Sequence, residues 1–357
     1  MGNDTFFHNP DEISRCRRCI LPANYPGISF NDLGVCNYCL NYKPQVYLGE
    51  ESFVALLNTI REKGSQYDCL VPVSGGRDST YVLYQMKKTF GVNVVAYNYN
   101  NGFASMVAKD NIERAISKLD VDSITLKSKR DIQRRHLRHL IAFALRKSPH
   151  DVLTNLCSGC ANGIWGGAYM TAKVRNIPLV VFGESRMESG TAKQMIGSKH
   201  RRRTTDKIRD AVTMPLNFIQ RKSFSILLEK EFPLHEFSDI KKVNFFDYLE
   251  WDEEQIERTI REKTGWRGET GMSSWRFDCK IHALVDYMYR RLYGFTEKTE
   301  LYSKMVREGK ISRDEALKKV AWNSERENIE QSVIENVFDI LHLNTKERNA
   351  ILRFETL

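Results

Sequence analysis

Val73-Ser74-Gly75-Gly76-Arg77-Asp78-Ser79-Thr80 follows directly on the apolar run Cys69-Leu70-Val71-Pro72. A short buried strand ending in two glycines, and then opening a helix, is a ready-made anion cradle. The first amides of the helix lack intrahelical partners, and the helix dipole adds partial positive charge. Glycine at 75 and 76 removes Cβ and lets backbone wrap closely around phosphate oxygens. Ser74 and Ser79 add hydroxyl donors, with Thr80 on the next turn. Asp78 suits a magnesium ion or a backbone-ordering role, and Arg77 is a cation able to serve phosphates. The spacing is neither Gly-x4-Gly-Lys-Ser/Thr nor Gly-x-Gly-x-x-Gly, so the two commonest nucleotide loops are excluded.

Outward from this loop, residues 51–230 alternate β-branched runs with helical stretches. Strands are expected at Asp68–Val73, Val92–Tyr99, Ser123–Leu126 and Pro178–Phe182, and helices at Thr80–Phe90, Ser105–Leu119, Arg130–Arg146 and Ala161–Val174. Within 105–119, Val107, Ala108, Ile112, Ala115, Ile116 and Leu119 share one face. Such alternation predicts an α/β fold: a doubly wound, mostly parallel sheet covered on both faces. Ligands in such sheets lie over the carboxyl ends of the strands. Asn98 and Asn100 therefore become candidates for the adenosine of a nucleotide, and Glu184 a candidate magnesium ligand, substrate contact or helix cap. From His235 onward strands are scarce and charged helices dominate, as in Glu253–Glu262 and Ile281–Arg291. The expected division is a module at 1–50, a nucleotide domain at 51–230 and a helical substrate or partner region at 231–357.

Residues 1–50 carry Cys16-x2-Cys19 and Cys36-x2-Cys39, separated by a loop rich in Pro and Gly. Paired knuckles in a segment too small for a core of its own predict a structural, zinc-ribbon-like Zn2+ site. A second set, Cys157, Cys160 and Cys279, permits three readings: buried thiols, a second zinc completed by His282, or an iron–sulfur cluster on three cysteines.

The chain of 357 residues is 41% hydrophobic and 28% charged, an ordinary globular balance. No apolar run is long enough to cross a bilayer, and the first residues lack a signal-peptide pattern, so a cytoplasmic location and no membrane partner are expected. The net charge of +9 implies an anionic partner. The run Lys199-His200-Arg201-Arg202-Arg203 is either a solvated loop or an anion contact.

The loop Ser74-Gly75-Gly76-Arg77-Asp78-Ser79 resembles the signature of the ATP pyrophosphatase (PP-loop) superfamily, with arginine where lysine is commoner. Three further stretches narrow the resemblance: DYLEWDEEQIERTIREKTGW at 247–266, SSWRFDCKIHALVDYMYRRLYGF at 273–295 and MVREGKISRDEAL at 305–317. Together with the knuckles, the chain resembles the N-acetyl sugar amidotransferases of bacterial surface-polysaccharide and flagellin-glycan pathways, over nearly its whole length. That resemblance implies a PP-loop/HUP-like fold that uses ATP and Mg2+. The expected reaction turns an acetamido group of a nucleotide-linked N-acetyl sugar into an acetamidino group, releasing AMP and pyrophosphate. Ser74, Arg77 and Asp78 would be catalytic. Ser74, Gly75, Gly76, Asp78, Ser79, Thr80, Asn98, Asn100 and Glu184 would hold the nucleotide. None of the eight cysteines lies in a glutaminase-type Gly-x-Cys-x-Gly elbow. Ammonia is therefore expected from a separate glutamine amidotransferase, and the resemblance implies a cyclase-like companion. A homodimer is compatible with the sequence but not specified by it.

Two rivals remain. PP-loop tRNA thiolases share the loop and a Cys-x2-Cys with a later cysteine, which they use for a 4Fe-4S cluster. Against that reading, Gly183-Glu184-Ser185 stands where thiolases tend to carry Gly-His-Asn. A zinc-containing nucleic-acid binder is the other, and the intact loop argues against it.

Overall fold

The computed structural model describes residues 13–127, 131–147, 150–193, 195, 239–268, 276–326 and 331–354. The basic run 199–203 and Trp275 lie outside these residues. Among them, five strands form one parallel sheet: β1 (Cys69–Pro72), β2 (Val94–Asn100), β3 (Asp122–Lys127), β4 (Leu179–Phe182) and β5 (Lys241–Asn244), in spatial order β3-β2-β1-β4-β5. β1 and β4 are buried at every position, as strands covered on both faces must be. β5 pairs with β4 from Leu179↔Lys241 to Phe182↔Asn244. It lies beyond the 51–230 segment in which the sequence pattern placed the sheet. Lys241-Lys242-Val243-Asn244 has one apolar residue in four and no readable alternation.

The helices in chain order are α1 (Asn37–Leu40), α2 (Glu50–Arg61), α3 (Arg77–Tyr84), α4 (Met106–Leu119), α5 (Ile132–Leu145), α6 (His150–Asn155), α7 (Ser158–Val174), α8 (Glu253–Thr264), α9 (His282–Tyr293), α10 (Glu297–Arg307), α11 (Arg313–Arg326), α12 (Gln331–Leu341) and α13 (Thr345–Arg353). Two deserve a physical reason. α3 begins at Arg77 rather than at Thr80, because Gly76 takes an extended conformation (φ −71°, ψ 167°) and serves as the N-cap. It runs on through a π-helical turn, Gln85–Thr89. α4 starts where expected, with the Ser105 hydroxyl accepting from the Ala108 amide at 3.1 Å.

One face of the sheet packs on α2, α3, α4 and α8 in a core that includes Phe53, Val82, Ala115 and Ile260. The other face packs on α7, where Ala168 and Ala172 meet Tyr97 and Val180. That is the doubly wound arrangement. α7 lies close because of two glycines: a Cβ at Gly167 would stand 2.1 Å from the Tyr97 hydroxyl, and one at Gly163 2.6 Å from the Tyr99 ring.

The N-terminal module is not a free appendage. Cys16, Cys19, Cys36 and Cys39 share a core with residues of α5, α9 and α12. Arg313 Nε donates to the carbonyls of Cys16 (3.2 Å) and Cys19 (3.0 Å), and Asn24 Nδ2 to that of Tyr293 (2.7 Å). Among the described residues no helix is long and apolar enough to cross a membrane.

Candidate functional site

In the order β3-β2-β1-β4-β5 the strand direction of winding reverses between β1 and β4, which is where a parallel sheet opens a crevice at its carboxyl edge. The Ser74–Ser79 loop fills that edge. The Ser79 hydroxyl accepts from the Ser74 amide (3.2 Å), and the Gly76 amide donates to the Ser74 hydroxyl (3.2 Å). Thr80 Oγ1 donates to the Gly76 carbonyl at 2.7 Å. Gly75 has φ +81°, and a Cβ there would meet the Ala108 carbonyl oxygen at 2.1 Å. Both facts demand glycine. Gly183, at the end of β4, packs so that a Cβ would stand 3.2 Å from the carbonyl of Asp78. The loop is therefore gripped from both sides by backbone.

The structure gives Arg77 and Asp78 a different occupation from the phosphate and magnesium contacts expected of them. Arg77 is 3% exposed; its Nε donates to Asp78 Oδ1 at 2.8 Å and its Nη1 to Glu253 Oε1 at 2.5 Å. Its guanidinium carbon lies 5.1 Å from the centre of the Trp251 ring. Burial opposes the charge, but the two carboxylates outweigh it and raise the Arg77 pKa. Trp251 Nε1 donates to Asp78 Oδ2 at 3.2 Å. Together these side chains brace the first turn of α3 from beneath.

Trp266 and Asn111 brace the loop from the side, donating to the Gly75 carbonyl at 3.0 and 3.2 Å. Trp251 and Trp266, both buried, thus belong to the loop's support. Nothing in their local sequence marks this role. Trp266→Phe removes one donor from a buried carbonyl and is expected to cost about 1–2 kcal/mol. Urea unfolding checks that value.

Asn98 and Asn100, expected near adenosine, both shape the end of β2. Asn98 Nδ2 donates to the Val73 carbonyl at 2.8 Å, and Asn100 Oδ1 accepts from the Gly102 amide at 3.0 Å. Glu184 accepts from Trp165 Nε1 at 2.9 Å and lies 3.9 Å from Lys242 Nζ. It sits at the carboxyl end of β4, on the same edge as the loop.

The four cysteines of the knuckles converge. Their sulfurs lie within 4.8 Å of one another, with Cys16–Cys39 and Cys19–Cys36 each at 3.8 Å. Ligand sulfurs at ~2.3 Å from a tetrahedral zinc stand ~3.8 Å apart, so the donor set fits a single zinc ion. Backbone amides of Arg18, Cys19 and Cys36 point at Cys16 Sγ (3.4, 3.4 and 3.2 Å), and Arg307 Nη1 at Cys19 Sγ (3.5 Å). Such donors offset thiolate charge.

The second set is arranged differently. Cys160 Sγ accepts from Asn101 Nδ2 (3.5 Å) and Gln133 Nε2 (3.3 Å), and Lys193 Nζ approaches Cys157 Sγ (3.7 Å). Burial pushes the Cys160 thiol up to about 11, with the nearby Cys157 adding to it. Cys279 pairs with Ala104 in an isolated antiparallel bridge. Among the described residues only the Cys16/19/36/39 group closes to single-ion distances. His282 does not complete a second zinc site. Its Nδ1 lies 3.4 Å from Asp286 and its Nε2 3.1 Å from Glu297. Burial alone would lower its pKa, but these carboxylates raise it to about 9.

One residue the sequence reading passed over stands at the loop. Asp278 Oδ2 lies 3.3 Å from where a Cβ on Gly76 would be. The backbone that places it is clamped to the β2–α4 connection. The Ser105 amide donates to the Asp278 carbonyl (3.0 Å), and the Lys280 amide to that of Phe103 (2.9 Å).

Residues 269–356 match the family of the LPS biosynthesis protein WbpG-like C-terminal domain, which places α9 to α13 and Asp278 within a recognised unit. An uncharacterised protein of Methanocaldococcus jannaschii is 25% identical over 107 residues, 29% of this chain and 38% of that protein's length. The chain thus spans well under half of that relative. Among solved structures, U34-tRNA thiolase NcsA from Methanococcus maripaludis, determined with its 4Fe-4S cluster, aligns over 88% of this chain and 89% of its own at 13% identity and TM-score 0.34. NH3-dependent NAD synthetase from Campylobacter jejuni aligns over 61% of this chain and 97% of its own at 15% identity and TM-score 0.30. Likenesses at this level carry no argument about activity.

Proposed function

We propose that the chain is the ATP-dependent synthetase half of an N-acetyl sugar amidotransferase in bacterial surface-glycan synthesis. The observation that carries this reading is the braced Ser74–Ser79 cradle at the β1/β4 crevice, with a WbpG-like C-terminal domain reaching its lip. An amide carbon resists ammonia because its oxygen is a poor leaving group. In the proposed sequence, the acetamido oxygen attacks the α-phosphorus of ATP, the bond to the β-phosphate oxygen breaks, and an O-adenylyl imidate forms. Ammonia adds to the imidate carbon, a proton is lost, and the C–O bond breaks to release AMP and the amidine.

In this scheme the amides at the head of α3 and the Ser74 and Ser79 hydroxyls receive the departing pyrophosphate. Magnesium, entering with ATP, supplies neutralisation of its charge. Arg77 and Asp78 act indirectly, by fixing the first turn on which those amides sit. The zinc knuckles hold structure. A separate glutaminase delivers ammonia.

The test is to incubate the purified chain with ATP, ammonium and a panel of nucleotide-linked diacetamido sugars. The expected result is AMP and a sugar lighter by the difference between O and NH, with ammonium replacing glutamine plus partner. ADP as the nucleotide product would refute the scheme. A thiolase reading draws on the proximity of Cys157, Cys160 and Cys279. It is favoured instead if AMP forms only with tRNA and a sulfur donor.

A further inference from the structure

We propose that Cys157 and Cys160 are a redox-active dithiol, closed to a disulfide by exchange with a low-molecular-weight disulfide. This chemistry needs neither the Ser74–Ser79 loop nor the four-cysteine knuckles, and it holds whichever substrate the loop serves.

Both cysteines lie on one helical turn. Cys157 is the N-cap of α7, with φ −109° and ψ −7°, and Cys160 is the third residue of that helix. Residues three apart on such a turn have Cα atoms ~5 Å apart, inside the ~4.4–6.8 Å that a disulfide spans. Both are half-buried, but their surroundings differ. Lys193 Nζ stands 3.7 Å from Cys157 Sγ and 3.0 Å from Glu297 Oε1. Burial and Arg276 oppose the Lys193 charge, yet Cys157 and Glu297 outweigh them and raise its pKa, so an ammonium faces the sulfur. A cation beside a partly exposed thiol is the setting in which cysteine reacts as a thiolate. Cys160 instead receives amide N–H groups, from Asn101 at 3.5 Å and Gln133 at 3.3 Å, and burial pushes its thiol up to about 11. One sulfur is thus set to attack and the other to stay protonated until the second step.

The exchange balances on these two residues and a small disulfide, RS–SR. The Cys157 thiolate attacks one sulfur, the S–S bond breaks, and a mixed disulfide forms as RS− leaves. That RS− takes the Cys160 proton, and the Asn101 and Gln133 amides hold the charge that appears on Cys160. Cys160 Sγ then attacks Cys157 Sγ, closes the internal disulfide and expels a second RS−, which takes the proton that Cys157 gave up on ionising. The two cysteines lose two electrons and the small disulfide gains them as two thiols. Closure also takes from Lys193 one of its two counter-charges, leaving Glu297. Lys193 lies on a segment tied to the helices beneath: its amide donates to the Tyr289 hydroxyl at 2.9 Å, and the Ala192 amide to Glu300 at 2.8 Å. The pair therefore sits where α7, which covers the sheet, meets the WbpG-like domain.

The experiment exposes the full chain, supplied with zinc, to oxidised glutathione, alkylates the remaining thiols and reads the digested peptides by mass. The expected result is an internal Cys157–Cys160 disulfide that dithiothreitol reverses, with the other cysteines still alkylated. Cys160→Ser should stop at the first step and keep glutathione on Cys157, and Cys160→Ala supplies the same comparison if the Ser variant does not fold. Cys157→Ser should leave Cys160 without glutathione. Lys193→Gln is expected to slow formation of the mixed disulfide about tenfold, and Lys193→Arg to restore most of the rate. A protein in which Cys157 and Cys160 both remain alkylated after exposure overturns the proposal. So does a disulfide made through Cys279, or iron found bound to these sulfurs. Lys193→Gln reacting at the unaltered rate overturns the part given to the lysine.

Discussion

Gly75→Ala is expected to lower stability by about 2–5 kcal/mol, the sum of left-handed backbone strain and an overpacked contact, and, under the proposed reaction, to abolish AMP formation. Gly75 sits at φ +81°, where a Cβ is disfavoured in any surroundings. Here the surroundings make it worse: the added carbon would lie 2.1, 2.7 and 2.9 Å from the oxygen, carbonyl carbon and Cα of Ala108. All three are backbone atoms inside α4, so no rotamer change relieves the contact. The loop must move, and with it the Gly75 carbonyl that Trp266 and Asn111 hold. Urea unfolding measures the stability loss, and release of AMP in the presence of sugar and ammonium measures the activity. A Gly75→Ala protein with ordinary turnover would show that the loop does not grip the nucleotide.

If the four-cysteine cluster holds zinc as its geometry allows, Cys36→Ser is expected to prevent binding of that ion and to destabilise far more than the N-terminal module. In isolated finger peptides a structural zinc contributes about 10–16 kcal/mol, which is as large as the ~5–15 kcal/mol net stability of a typical domain. Cys16, Cys19 and Cys39, at 0–2% exposure, would be left as thiols beside the new hydroxyl around an empty centre. The damage should spread, because the same core contains residues of α5, α9 and α12, and Arg313 ties the knuckle carbonyls to α11. Elemental analysis should show the zinc lost, and the main thermal transition should fall by many degrees. A variant that loses zinc while the transition holds would mean that the module is only loosely coupled to the rest. Visible absorption from iron in the unaltered protein would contradict the single-zinc assignment.

Locally encoded features were legible in the chain. Asp68–Val73 reads as a buried strand from its apolar run, and β1 occupies Cys69–Pro72. The helix over 105–119 is marked by a serine cap and one apolar face, and α4 follows both. Cysteine spacing announced a four-sulfur cluster, and the four meet. In each case the determinant lies within a few residues of its effect: a φ that only glycine tolerates, a 3.6-residue period, or two knuckles each tight enough to aim a pair of sulfurs.

What the tertiary structure alone decided lies where distant segments neutralise one another. Glu297, Lys298, Glu300 and Ser303 on α10 are polar or charged, yet all are buried. Glu297 meets Lys193 at 3.0 Å and His282 at 3.1 Å, Glu300 accepts from the Ala192 amide at 2.8 Å, and Lys304 Nζ reaches the Met187 carbonyl at 3.1 Å. A charged helix enters a core only when its partners arrive with it, and no window of sequence contains those partners. The same holds for Asp278 at the lip of the loop, for Trp251 and Trp266 beneath and beside it, and for β5, whose place is set by β4 and not by its own four residues. Short-range stereochemistry wrote the cradle into the chain, whereas long-range compensation of buried charge and backbone determined what stands around it.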